Sequence, residues 1–278
     1  MKLNKGVKFL SDLVLNRTYA ATKEDGTKES IEEVVDRLLN HHVEKFPHLE
    51  ADILRLRPFL VNKKCVPAMR WYQFAGEGIK RNEVRGFNCS YTTIESFRDF
   101  AEIFYILMCG TGVGYSVRKR HVNRLPIVHP GYTDRVTIND SKEGWADSVL
   151  ALLQNPNVSF DYNLIRPTGA PLSTGGTASG PEPLRVMHET IRTILKEAEG
   201  RQLKPIEVHD IVCIISDAVV VGGVRRAALI SLFDPDDEEM LSAKHDKWWE
   251  THPWRARANN SAAILRTNPN AEQKFKKI

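Results

Sequence analysis

The stretch FNCSYTTIESFRDFAEIFYILMCGTGVGYSVR, residues 87–118, decides the fold class. Its first segment, 87–92, is short and carries the aromatic and β-branched residues that suit a strand. Ile94, Phe97, Phe100, Ala101, Phe104, Leu107 and Met108 then recur at helical spacing and mark one apolar face. Gly110 closes that helix, and GVGYSVR at 112–118 reads as a second strand. Strands joined through a helix pair in parallel, because a parallel pair needs a crossover that returns the chain to the same end of the sheet.

The alternation continues downstream. Residues 141–154 read as a helix, 158–166 as a third strand, 184–199 and 207–219 as helices, 227–233 as a fourth strand and 261–266 as a fifth. The segment 122–140, with Pro126 and Pro130, reads as an irregular excursion, and the acidic turn 234–239 opens another helix. Five strands alternating with helices predict an α/β protein with a parallel sheet, open or half of a barrel. The upstream region is different. Ser30 and Glu33 form a capping box. Behind it Ile31, Val34, Val35, Leu38, Leu39, Val43 and Phe46 follow helical spacing until Pro47 stops the helix. A second short helix fits 49–56. The expected organisation is a helical domain over 1–85 and an α/β domain over 86–278.

With 278 residues the chain has room for two domains of ordinary size. Hydrophobic residues at 42% and charged residues at 27% exclude collagen-like, coiled-coil and largely disordered chains. The apolar stretch 211–221 is broken by Ser and Asp and is too short to span a bilayer. The first ten residues lack the apolar core of a secretory signal. The expectation is a cytoplasmic protein with no membrane partner. A net charge of +4, with opposite charges interspersed, does not argue for a nucleic-acid partner. The four cysteines, Cys65, Cys89, Cys109 and Cys213, show no CxxC spacing. They predict neither a disulfide scaffold nor a metal site and suit a reducing compartment.

Three segments could carry chemistry. RPTGAPLSTGGTASGPEPL, residues 166–184, combines glycines that let backbone N–H groups approach phosphate oxygens with hydroxyl donors and a following helix N-terminus. It matches neither a Walker A motif nor a Rossmann fingerprint, and a mobile surface loop is the alternative. VGGVRR, residues 221–226, pairs a glycine hinge with adjacent arginines suited to phosphates or base edges; a solvated turn is its alternative. Cys89, between Asn88 and Ser90, is either a redox-active thiol at a strand end or a small buried hydrophobe. Cys109 and Cys213 sit in apolar helical segments and read as core, and Cys65 is open to either reading.

Taken in order, NCSY at 88–91, GVGYSV at 112–117, EGW at 143–145, IRPTGAPLSTGGTASGPEPL at 165–184, VVGGVRRAAL at 220–229 and NNSA at 259–262 resemble the adenosylcobalamin-dependent (class II) ribonucleotide reductases. NRTYA at 16–20 extends the likeness toward the N-terminus. The resemblance implies an N-terminal helical domain followed by a five-stranded parallel βα half of the ten-stranded reductase barrel. It implies that this chain is the N-terminal portion of such an enzyme. A second half-barrel and the family's NxCxE finger-loop motif are missing, as in a split or truncated chain. An iron-dependent (class I) type and a catalytically inactive dNTP-binding regulatory module are the rival readings.

The resemblance also implies roles. Family chemistry runs through a thiyl radical and a cysteine pair that becomes a disulfide. Cys89 would be one member of that pair, with its partner and the thiyl cysteine on a C-terminal reductase chain. Asn88, Gly112, Val113 and Gly114 would line the substrate site. Ala68 and Met69 would meet the substrate phosphate through their backbone. Ser173, Gly175, Gly176 and Thr177 would belong to a first effector-specificity loop, and Gly222, Gly223, Arg225 and Arg226 to a second. The implied ligands are a ribonucleoside di- or triphosphate substrate, a dNTP effector, an external dithiol, and adenosylcobalamin bound mainly with the C-terminal half.

Overall fold

The computed structural model describes residues 5–23, 25–171, 177–221 and 228–278. The chain divides into two compact units, Met1–Asn88 and Cys89–Ile278.

The first unit is helical. Its longest helix, Ile31–Lys45, starts at the expected capping box: Glu33 N donates to Ser30 Oγ at 3.2 Å and Ser30 N to Glu33 Oε2 at 2.7 Å. Val34, Val35, Leu38 and Leu39 on this helix form a core with Ala20, Leu60, Tyr72 and Ala75. Arg37 crosses the edge of that core. It donates to both carboxylate oxygens of Glu29, at 2.8 Å each, and to the carbonyls of Tyr72 and Ala75. Phe46, expected on the apolar face, is exposed instead. The helix ends at Lys45, and Phe46, as its C-cap with φ −133°, leaves the helical path. The short helix expected at 49–56 is Glu50–Arg55.

The second unit is built on a parallel four-stranded sheet. Its strands are β1 (Cys89–Thr93), β2 (Gly112–Ser116), β5 (Leu229–Phe233) and β6 (Ala258–Ala262), and they lie in the order β1-β2-β5-β6. A separate parallel pair is formed by β3 (Asp134–Thr137) and β4 (Val158–Asp161). The helix Phe97–Met108 crosses from β1 to β2, as its pattern required. Val113, Tyr115, Leu229, Phe233 and Ala258 bury one sheet face in a core shared with the helices Phe97–Met108, Lys142–Gln154, Glu182–Glu197 and Pro205–Val221.

The parallel α/β architecture stands, with two differences of detail. The expected third strand, 158–166, shortens to β4 and leaves the main sheet to pair with β3. That strand lies inside 122–140, where prolines and charges hid its short Asp134–Thr137 pairing segment. The expected fifth strand shifts from 261–266 to β6, so Ile264 and Leu265 fall beyond it. Among the described residues the main sheet has four strands rather than five, and β1 and β6 are its edges. No helix among the described residues is long and apolar enough to cross a membrane.

Candidate functional site

The register of the sheet places the candidate residues. Cys89 pairs with Gly112, Tyr91 with Gly114, Gly114 with Ile230, and Ile230 with Asn259. Paired residues on neighbouring strands share a face, and successive residues alternate between faces. Cys89, Tyr91, Gly112, Gly114, Ile230 and Asn259 therefore occupy one face, opposite the buried Val113 and Tyr115. That face is open: Tyr91 is 57% and Ile230 41% exposed, and Cys89 and Asn259 are exposed as well.

Gly114 sits in the middle of this face under two side chains. A Cβ there would lie 3.2 Å from Tyr91 Cδ2 and 3.2 Å from Ile230 Cγ2. Without it, the β2 backbone forms the floor of a shallow trough walled by Tyr91 and Ile230. The Cys89 thiol stands on the same face at the start of β1. Three strand spacings separate it from β6, about 14 Å in all, which is the scale of one nucleotide laid across the strands. Ser90 Oγ donates to Gly112 O at 3.2 Å and ties the two strand starts together.

The hidden face supports the trough with a polar row. Tyr115, Ser231 and Asn260 are paired in register on β2, β5 and β6. They share the face that packs against the helix Pro205–Val221. The Tyr115 hydroxyl is 2.8 Å from His209 Nδ1 and 3.8 Å from Cys213 Sγ. Burial pushes the Cys213 thiol up to about 12 and holds His209 down to about 4, so both are neutral at physiological pH. The same helix is locked by a buried ion pair. Arg255 Nε and Nη2 each donate to Asp210 at 2.6 Å, and Trp254 Nε1 adds a 3.0 Å bond to Asp210 Oδ1.

The remaining candidates are distributed. Asn88 closes the first unit, where Arg70 Nε donates to its Oδ1 at 2.9 Å. Ala68 is exposed and caps the helix Met69–Phe74. The 166–184 loop is hydrogen-bonded at its base: Gly169 N donates to Ala178 O at 2.9 Å, Ala178 N to Ala170 O at 2.8 Å, and Thr168 Oγ1 to Ser179 O at 2.8 Å. Thr177 bridges to Pro171 and is exposed. Ser173, Gly175 and Gly176 of the first loop lie outside the described residues, as do Gly222, Gly223, Arg225 and Arg226 of the second. Cys109 and Cys213 are buried, while Cys65 and Cys89 are exposed. Tyr91, Ile230 and Asn259 are the residues that sequence reasoning did not place at the site. Asn259 lay within the quoted NNSA segment, but only the strand register shows which of its two asparagines faces outward.

No protein-family model matches the chain. Its sequence is 30% identical, across 92% of this chain, to the adenosylcobalamin-dependent ribonucleoside-triphosphate reductase of Euglena gracilis, of which 39% is covered. A putative enzyme of the same description from Mycobacterium phage D29 is 31% identical over 87% of this chain and 43% of its own length. A probable one from Dictyostelium discoideum is 28% identical over 90% of this chain and 38% of its own. The chain thus spans less than half the length of these curated relatives. A crystal structure of a B12-dependent (class II) ribonucleotide reductase superposes with a TM-score of 0.79 at 25% identity, covering 91% of this chain and 45% of that one. In sequence along nearly its whole length, and in the arrangement of its parallel sheet and helices, the chain belongs to the adenosylcobalamin-dependent ribonucleotide reductase family.

Proposed function

We propose that the chain supplies the substrate and effector surfaces and one redox cysteine of a ribonucleotide reductase. The observation that carries this reading is the placement of Cys89. Its thiol is exposed on the same open face as the Gly112–Gly114 floor, where a nucleotide can approach the backbone without meeting a Cβ. The two buried thiols, Cys109 and Cys213, have no such access.

In this reading the ribose lies against the glycine floor, with Asn88 beside the strand start. Tyr91 and Ile230 wall the trough and exclude water from one side of the sugar. Cys89 and a second cysteine on a C-terminal reductase chain each give up one proton and one electron and form a disulfide. The ribose 2′-hydroxyl leaves as water, and an external dithiol returns the pair to thiols. A thiolate must reach the disulfide exchange partner, which an exposed strand-end cysteine permits. The 166–184 loop, hydrogen-bonded at its base, would present its backbone donors to a dNTP effector, and the 221–226 turn would couple that site to the substrate.

Adenosylcobalamin would initiate the radical step. The clefts within the two units, of about 400, 540 and 560 Å³, are sized for small ligands rather than a corrinoid. Among the described residues no three side chains are grouped to hold a metal. These residues do not form the cofactor's site, and the cofactor would be held mainly by the C-terminal half.

The test is nucleotide binding to the intact chain. Substrate nucleotides should protect β2 amides from hydrogen exchange, and dNTPs should protect the base of the 166–184 loop. Binding that protects neither segment would remove the nucleotide role.

A further inference from the structure

The first unit holds a feature that the reductase reading does not use. The helix Lys5–Val14 buries none of its residues. Val7, Phe9, Leu10, Leu13 and Val14 are all between 43% and 70% exposed. Together with Val66, Met69 and Tyr72, this helix bounds a cleft of about 400 Å³. The Tyr72 side chain lines the cleft and is only 2% exposed, and its hydroxyl has no hydrogen-bond partner. A buried hydroxyl without a partner is costly, typically more than a made bond is worth. Lys63 stands at the cleft, bonded to Ser11 Oγ at 2.6 Å and Asp12 Oδ1 at 3.0 Å.

From the apolar walls, the volume and the unpartnered Tyr72 hydroxyl, we propose that this cleft binds a small anionic amphiphile, of the medium-chain carboxylate class. Apolar clefts of this volume with one or two polar groups are the usual form of small-molecule sites. A packed helix, about 10 Å across, would need more room. The Tyr72 O–H supplies a directed donor, so the ligand's head must be an acceptor. The helix Lys5–Val14 and the turn after Leu60 carry Lys5, Lys8, Lys63 and Lys64 against a single acid, Asp12, which favours an anionic head. The proposal is independent of the reductase reading, because it concerns residues of the first unit alone.

The experiment is calorimetric titration of the full chain with decanoate, below its micelle concentration, with decylamine as the cationic comparison. Decanoate should bind saturably at one per chain, and decylamine at least tenfold more weakly. Leu10→Glu places a like charge in the wall. Since Leu10 is 59% exposed, the fold survives, and decanoate affinity should fall more than tenfold. Tyr72→Phe removes the donor and should cost about tenfold, one hydrogen bond to a charged acceptor. Absence of saturable binding, or equal affinity in Leu10→Glu, overturns the proposal. So does a concentration-dependent dimer that Leu10→Glu abolishes without any decanoate binding, which would assign the cleft to a second copy of the chain.

Discussion

Gly114→Ala separates a packing role for this glycine from a contact role. The added methyl would meet Tyr91 Cδ2 and Ile230 Cγ2 at 3.2 Å and Ser90 O at 3.6 Å. Relief requires each side chain to move by a few tenths of an ångström. In a closed core such overpacking costs about 1–3 kcal/mol. Tyr91 and Ile230 are 57% and 41% exposed, so both can turn toward solvent and the cost falls to the bottom of that range. The alanine also restricts the unfolded chain, a gain of about 0.4–1 kcal/mol. The net change in stability should therefore be within about 1 kcal/mol. A ligand seated on the β2 backbone has no such freedom. A methyl there displaces it by about 1 Å, a misplacement that costs about a hundredfold in rate. Urea unfolding of the chain and substrate affinity of the same preparation measure the two effects. A stability loss above about 3 kcal/mol, or unchanged nucleotide affinity, would refute the assignment of Gly114 to the substrate floor.

Other consequences are as direct. Arg255→Ala leaves Asp210 buried without its partner and should cost about 3–5 kcal/mol in chemical denaturation, far more than loss of the exposed pair Arg55–Asp52. His188 and His209 are held down to about 3 and about 4, mainly by burial. Their folded values lie below the unfolded value near 6.5, so stability is complete above pH 6.5 and is lost as pH falls, because only the unfolded chain takes up the protons. Between pH 7 and pH 5 this amounts to about 2 kcal/mol per histidine, and denaturation midpoints across that window check it. In the native chain a thiol reagent should modify Cys65 and Cys89 promptly and reach Cys109 and Cys213 only on unfolding, as their exposure dictates.

The strand–helix–strand core was readable because residues 87–118 carry both periodicities without interruption, and the capping box at Ser30 fixed the start of the longest helix in the first unit. Two short strands were not. In β3 one apolar residue, Val136, sits among charges, and pairing with β4 rather than local propensity makes the strand. In β6, Ala258, Asn260 and Ala262 face inward while Asn259 and Ser261 face outward. Small and polar residues on both faces leave no hydrophobic alternation to read, so the strand was placed too late. The glycine floor and Cys89 were legible through motif, but their shared face is a matter of register, which a sequence specifies only through its partners. The same holds for the Tyr115–His209 and Asp210–Arg255 contacts, which join residues far apart in the chain.

The most direct test of the account is dithiol-driven turnover by an enzyme assembled from this chain and a C-terminal reductase chain, with Cys89→Ser beside the unaltered protein. Deoxynucleotide is measured over many cycles with adenosylcobalamin present. The serine is nearly isosteric and cannot form a disulfide, so the account predicts sustained product from the unaltered assembly and loss of multiple turnovers in the variant. Sustained turnover in Cys89→Ser would contradict it.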